Sequence, residues 1–207
     1  MSKIDLTFDN LSKLGMPVQN IREWQIYLGI IETYFRIREI ENPIVVELGI
    51  GWGKQKKYYE ELLNYTHIGI DMNDKTLPDI VGNCKDPSTV DKLKEKLNGK
   101  LINLLFIDCE HGYFNTKQEY ELFSPLTKNI IALHDVISYE GLAKYWGELK
   151  GDKNIDMQDR TFITLHNWRG EREKIKNYRD IAYGGTGMGI IILGTKAERE
   201  YIPSRGW

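Results

Sequence analysis

The sequence predicts an α/β fold, a mostly parallel sheet with helices on both faces. Three observations carry that prediction: short β-branched runs alternate with amphipathic stretches, the first run closes on a cluster of glycines, and acidic residues recur directly after later runs. Strands that alternate with helices pair in parallel, and each crossover helix then covers a face of the sheet.

Taken in chain order, Ile21, Trp24, Leu28, Ile31 and Phe35 recur at helical spacing over residues 21–40, and Asn20 followed by Glu23 has the pattern of a capping box. Pro43 punctuates the chain, after which Ile44-Val45-Val46-Glu47-Leu48 reads as a buried strand ending in a tight turn. Further strands are expected over 66–71, 79–82, 101–108 and 129–134, with helices over 54–64, 88–98 and 114–122 between them. A helix over 139–149 follows, where Leu142, Tyr145, Trp146 and Leu149 share a face. Residues 151–183 are polar and irregular apart from a strand near 161–165, and Gly184-Gly185-Thr186-Gly187 introduces a last strand over 188–193. A chain of 207 residues fits one domain: a helical amino-terminal cap over 1–42, a core over 43–150, and a variable segment with the final strand over 151–207.

Composition narrows the function classes. A formal net charge of -2 provides no field to draw a polyanion onto the whole surface, so nucleic acid is not expected as a partner. Cys84 and Cys109 lie far apart and form no C-x-x-C pair, which argues against a zinc ribbon or a disulfide scaffold and fits a reducing cytoplasm. Residues 1–10 lack the basic start and apolar core of a signal peptide, and no stretch reaches bilayer-spanning length, so no membrane association is expected. Oligomeric state leaves no mark in the sequence.

The first chemical motif is Glu47-Leu48-Gly49-Ile50-Gly51-Trp52-Gly53, a turn between a strand and a helix, where open α/β sheets bind ligands. Glycines let the backbone approach a ligand. Lys54 stands where the dinucleotide fingerprint needs its third glycine, and the Glu47 carboxylate would repel a pyrophosphate and attract a cation. S-adenosylmethionine, with an ammonium and a sulfonium, is such a ligand. Asp71, at the end of the Ile68-Gly69-Ile70 strand, stands where an acid grips ribose hydroxyls. Asn83, in Gly82-Asn83-Cys84, reads equally as an adenine-edge contact and as a turn former.

Two strand ends complete the set, Phe106-Ile107-Asp108-Cys109-Glu110-His111 and Leu133-His134-Asp135. On adjacent parallel strands they share one rim, where acids and imidazoles can hold a divalent cation or take a proton from a hydroxyl. Asp108 and Asp135 are the candidate metal ligands, and His111, His134 and Asp108 the candidate catalytic residues. Each histidine alone also reads as a strand-end residue bonded to a neighbouring loop.

These residues resemble the class I S-adenosylmethionine-dependent methyltransferases, in the branch of cephalosporin hydroxylase-like and macrocin-type or rhamnosyl O-methyltransferase proteins. The resemblance runs from Gly15 to Leu149, and the run from Phe106 through Tyr113 to Ser124-Pro125-Leu126 and Leu133-His134-Asp135 is its most specific part. It implies a Rossmann-like, mostly parallel seven-stranded sheet with a carboxy-terminal antiparallel strand, and O-methylation of a small-molecule hydroxyl, sugar or phenol-like. It places Glu47, Gly49 and Gly51 along the methionine part of the cofactor, Asp71 at the ribose, Asn83 near the adenine, and Gln19 on a segment closing over the cofactor. In metal-bearing relatives the acids at the ends of the fourth and fifth strands bind Mg²⁺, which falls on Asp108 and Asp135, while His111 matches the histidine of the I-D-x-x-H run. Relatives often carry two carboxylates where this chain has His134-Asp135, and small residues where it has Lys54-Gln55. Acceptor choice is expected in the amino-terminal helix and in 151–183, with His166, Trp168 and Tyr183 as candidates. A nicotinamide-dependent oxidoreductase and a non-catalytic nucleoside-binding module are the competing readings.

Overall fold

The computed structural model describes residues 4–15, 19–151, 160–165 and 187–194. Seven strands form one sheet: β1 (Ile44–Leu48), β2 (Thr66–Asp71), β3 (Ile80–Val81), β4 (Ile102–Ile107), β5 (Thr127–His134), β6 (Arg160–Leu165) and β7 (Met188–Leu193), in the order β3-β2-β1-β4-β5-β7-β6. The first five run parallel, and β7 lies antiparallel between β5 and β6. The chain builds outward from β1 to β3 and then crosses back to place β4 on the other side of β1. That reversal opens a crevice beyond the carboxyl ends of β1 and β4, the usual ligand position in such sheets.

Five helices flank the sheet among the described residues: α1 (Phe8–Lys13), α2 (Ile21–Ile37), α3 (Pro87–Leu97), α4 (Tyr113–Phe123) and α5 (Glu140–Gly151). Asn20 caps α2 through its side-chain oxygen, which accepts from the Arg22 and Glu23 backbone N–H groups. Glu23 does not stay at the surface as a capping box requires; it is 3% exposed and turns toward the backbone of Gly187 and Met188. Asp86 caps α3 with Pro87 in its first turn, and Asn98 ends it in a left-handed conformation.

The expected helix over 54–64 is instead a single π-helical turn, Tyr58–Leu62, and this looser winding accompanies burial of both adjacent tyrosines, Tyr58 and Tyr59. The strand expected over 79–82 shrinks to Ile80–Val81 at the sheet edge. Residues 166–186, with His166, Trp168 and Tyr183, lie outside the described residues, as do most of 151–159.

Strand alternation divides the core into two layers. Val46, Leu48, Leu105, Ile107 and Ile131 face α3, α4 and α5, whereas Val45, Leu104, Phe106 and Ile130 face Trp24, Tyr27 and Ile31 of α2. The pairing of β4 with β5 shifts register between Ile102 and Leu104. The intervening Asn103 is buried there, its Oδ1 accepting from the Ile44 N–H at 2.9 Å and its Nδ2 donating to Asn129 Oδ1 at 2.9 Å. The buried amide thus pins β1, β4 and β5 together below the rim that carries the polar residues.

Candidate active site

The carboxyl ends of β1, β2 and β4 enclose a cavity of about 380 Å³, walled by the glycine turn, Asp71, Asn83, Asp108 and His111, among others. Its size is at the lower end of small-molecule sites. At its floor, β1 stays laddered on both sides: Gly49 N–H donates to the Ile70 carbonyl at 2.9 Å, and Asp108 N–H to the Leu48 carbonyl at 2.9 Å. Gly49 has φ +79°, and a Cβ there would lie 2.5 Å from the Asp108 carbonyl oxygen. Its lack of a side chain lets the β1 and β4 tips meet. Gly51, at φ +51° with open space beside it, is the glycine that leaves room at the cavity.

Asp71 stands at the cavity wall and anchors two turns. Its Oδ2 accepts from the Gly51 N–H at 3.2 Å and its Oδ1 from the Asn73 N–H at 2.8 Å, so it shapes both turns while lining the cavity. Asn83 lines the cavity too, but its Oδ1 accepts from the Lys85 N–H at 2.9 Å, the work of a turn former.

Glu47 departs from its expected place. It lies two residues before Gly49, so the strand pleat turns its side chain into the α2 layer and away from the cavity. There it is fully buried, 2.7 Å from His67 Nε2, while His67 stacks on Tyr59. Burial pushes its carboxyl pKa up against the opposing pull of His67. Glu47 is not among the acids that line the cavity, which are Asp71, Asp108, Glu110 and Glu119.

Asp108 is the centre of a hydrogen-bonded chain. Its Oδ2 accepts from Gln19 Nε2 at 2.7 Å, Gln19 Oε1 accepts from Gln55 Nε2 at 3.0 Å, and its Oδ1 pairs with His134 Nδ1 at 3.1 Å. His134 Nδ1 is also 3.3 Å from Asp135 Oδ1, and Asp135 Oδ2 is 3.2 Å from His111 Nε2. Asp135 adopts φ +64°, a left-handed conformation that Asp tolerates better than most residues. Ligand atoms of Asp108, His111 and Asp135 all lie within 4.8 Å of one another.

The two histidines differ in kind. His111 lines the cavity and packs on Tyr139 with ring centroids 4.4 Å apart. His134 is buried and outside the cavity wall. Burial alone would depress its pKa, but the carboxylates of Asp108 and Asp135 outweigh it and carry the value up to about 10, so the imidazole is held as a cation.

Sequence reasoning missed three features. Gln55 entered only as a departure from a family pattern, yet it lines the cavity, is buried, and keeps an Oε1 with no partner. Its signal is its position just after the glycine turn. His111 was named as a candidate catalytic residue and not among the metal ligands, although it completes a three-donor cluster with Asp108 and Asp135. Glu119 was not singled out within the helix expected over 114–122, yet it is 1% exposed and lines the cavity.

No protein-family model and no curated protein matches the sequence. Among solved structures, the chain is similar to the plantazolicin methyltransferase BpumL in complex with SAH, at TM-score 0.54 and 12% identity over 90% of this chain and 88% of that one. It is also similar to the O-methyltransferase TomG from Streptomyces achromogenes in complex with SAM, at TM-score 0.52 and 11% identity over 93% and 92% of the two chains. A third likeness is to the MycE methyltransferase of the mycinamycin biosynthetic pathway in complex with Mg and SAH, at TM-score 0.60 and 16% identity. That match takes in 100% of this chain but 59% of MycE. At such identities the likeness is one of architecture, and with the strand order and the antiparallel β7 it gives this chain the Rossmann-like methyltransferase fold.

Proposed function

We propose that this protein is an S-adenosylmethionine-dependent O-methyltransferase acting on a small-molecule hydroxyl, with a divalent cation held by Asp108, Asp135 and His111. One observation carries the reading: Asp108 belongs both to the cavity wall, with the glycine turn and Asp71, and to the three-donor cluster with His111 and Asp135. Methyl donor and acceptor thereby meet at one carboxylate.

The residues fit the cofactor. The unpartnered Gln55 Oε1 is an acceptor suited to the ammonium of the methionine part, Asp71 to ribose hydroxyls, and Asp108 adds negative charge where a sulfonium is favoured. The donor set also fits a hard divalent cation: two carboxylates suit Mg²⁺, and the imidazole makes Mn²⁺ the tighter ligand of the two. When bound, such an ion lowers the pKa of an acceptor hydroxyl.

The remaining chemistry belongs to the chain itself. Methyl transfer is a direct displacement, so alignment supplies much of the acceleration. Gln19 and His134 each hold one oxygen of Asp108 and fix its carboxylate plane. His134, buried within 3.1 Å of Asp108 and 3.3 Å of Asp135, serves as a positioning group for both carboxylates. His111 is the imidazole that reaches the cavity, where it ligates the cation or, with no cation bound, is placed to accept the hydroxyl proton. Tyr139 and the exposed Phe114 lie near the same end of the rim and offer aromatic surface to an acceptor. Two of the similar structures hold natural-product acceptors, mycinamycin VI in MycE and a desmethylPZN analogue in the plantazolicin methyltransferase BpumL, and an acceptor of that class is proposed here.

Calorimetric titration with SAH and with NAD tests the cofactor: saturable heat with SAH and none with NAD is expected, and the reverse pattern would discard the reading. Methyl transfer to a panel of phenols and glycosides, run with EDTA and then with added Mn²⁺ or Mg²⁺, tests the cation. Activity indifferent to EDTA would remove the metal from the proposal and leave His111 as sole base.

A further inference from the structure

α4 carries one residue that its position does not explain. Thr116, Glu119, Tyr120 and Phe123 form the buried stripe of this helix, at the spacing that faces a core. Three of them suit that setting. The fourth is a carboxyl, which costs free energy to bury without a partner. Glu119 is 1% exposed, and its Oε2 has no hydrogen-bond partner. Burial pushes the Glu119 carboxyl pKa up to about 8, with Lys85 pulling the other way. Lys85 does not neutralise it by direct contact, since its Nζ bonds Glu110 at 2.9 Å.

Glu119 also lines the cavity, at the wall formed by Cys84, Lys85 and Cys109. That wall is fixed in place. Gln118 of α4 donates to the Lys85 carbonyl at 2.9 Å, and the Cys84 and Cys109 sulfurs sit 3.1 Å apart. The two sulfurs are polarisable and suited to the face of a flat heteroaromatic ring. Asp108 and His111, on the same cavity, belong with Asp135 to the three-donor cluster. A nucleoside with its ribose on Asp71 and its sulfur toward Asp108 has this wall left for its base.

We infer that Glu119 is the specificity-determining residue for the nucleobase, its free carboxyl oxygen accepting a hydrogen bond from the 6-amino group of adenine. The inference rests on the adenosyl-cofactor reading above and adds to it the residue that recognises the base. Such a contact converts a buried, unpartnered acceptor into a satisfied one, and its loss is worth on the order of tenfold in affinity.

Calorimetry on two ligands separates the outcomes: SAH, and the analogue in which hydrogen replaces the 6-amino group. The wild-type protein should bind SAH about tenfold more tightly than the desamino analogue. Glu119→Leu should bind the two equally, through loss of SAH affinity alone. Glu119→Gln, whose amide oxygen still accepts, should keep the wild-type preference. Should Glu119→Leu fail to fold by circular dichroism, Glu119→Met carries the same comparison. A preference that persists in Glu119→Leu, an equal weakening of both ligands, or a wild-type protein that does not distinguish them would each overturn the assignment of Glu119. A wild-type protein that binds neither ligand would overturn the adenosyl reading itself.

Discussion

Asp108 joins two sets of residues, and its substitution separates them. Asp108→Asn keeps an oxygen for Gln19 but removes the charge that His134 and a cation require. Mn²⁺ affinity, followed by electron paramagnetic resonance, should drop on the order of 100-fold or more, while SAH affinity changes far less. Glu47 provides the opposite case. Because it is buried against His67 and faces away from the cavity, Glu47→Ala leaves an unpaired imidazole in the core and should cost about 3 kcal/mol of stability in urea unfolding. The folded protein should still bind SAH within about threefold of wild type, as expected when a change removes a core pair and no ligand contact. A large loss of affinity without loss of stability would return Glu47 to the site.

At the level of elements, the site depends on how closely the β1 and β4 tips approach. Gly49→Ala would drive a Cβ into the Asp108 carbonyl at 2.5 Å and displace the carboxylate that follows it. Backbone cannot give way cheaply. Gly51→Ala meets no atom within 4 Å and pays only for its left-handed backbone, about 1–2 kcal/mol. Thermal unfolding should therefore rank wild type above Gly51→Ala and Gly51→Ala above Gly49→Ala, and only Gly49→Ala should also abolish metal binding. The elements themselves were largely legible, because β-branched runs and the helical spacing of Trp24, Leu28 and Ile31 report burial directly. The π-helical turn at Tyr58–Leu62 was not, since its aromatic pair reads as ordinary helix until packing against α2 is known.

For the whole molecule, pH acts through a buried acid far from the surface. Burial pushes the Glu23 carboxyl up to about 7, above its ordinary value of 4.5, with His134 pulling it down. The folded state then holds a proton on Glu23 that the unfolded state releases, so the Glu23 contribution to stability falls as pH rises from about 4.5 to 7 and levels off above that. The full effect is on the order of 2–3 kcal/mol. Glu23→Gln should flatten that part of the stability profile in urea titrations at pH 4.5 and 7.5. Ligand linkage acts in the same currency: SAH at 100 times its Kd should add about 2.7 kcal/mol, and NAD at the same concentration should add nothing.

The sequence by itself determined the alternating architecture, the glycine turn, and the acids at the strand ends, because hydrophobic period and chain punctuation are local properties. Side-chain direction was a tertiary decision. The pleat sent Glu47 inward to His67, the chain crossing between β3 and β4 brought Asp108 beside Gly49, and the left-handed Asp135 was set against His111. Partners far apart in the chain, such as Gln19 with Asp108 and Gln118 with the Lys85 carbonyl, meet only once the sheet has ordered them. No local pattern encodes which of two buried carboxyls faces a cavity, since that depends on what the other layers of the molecule leave open.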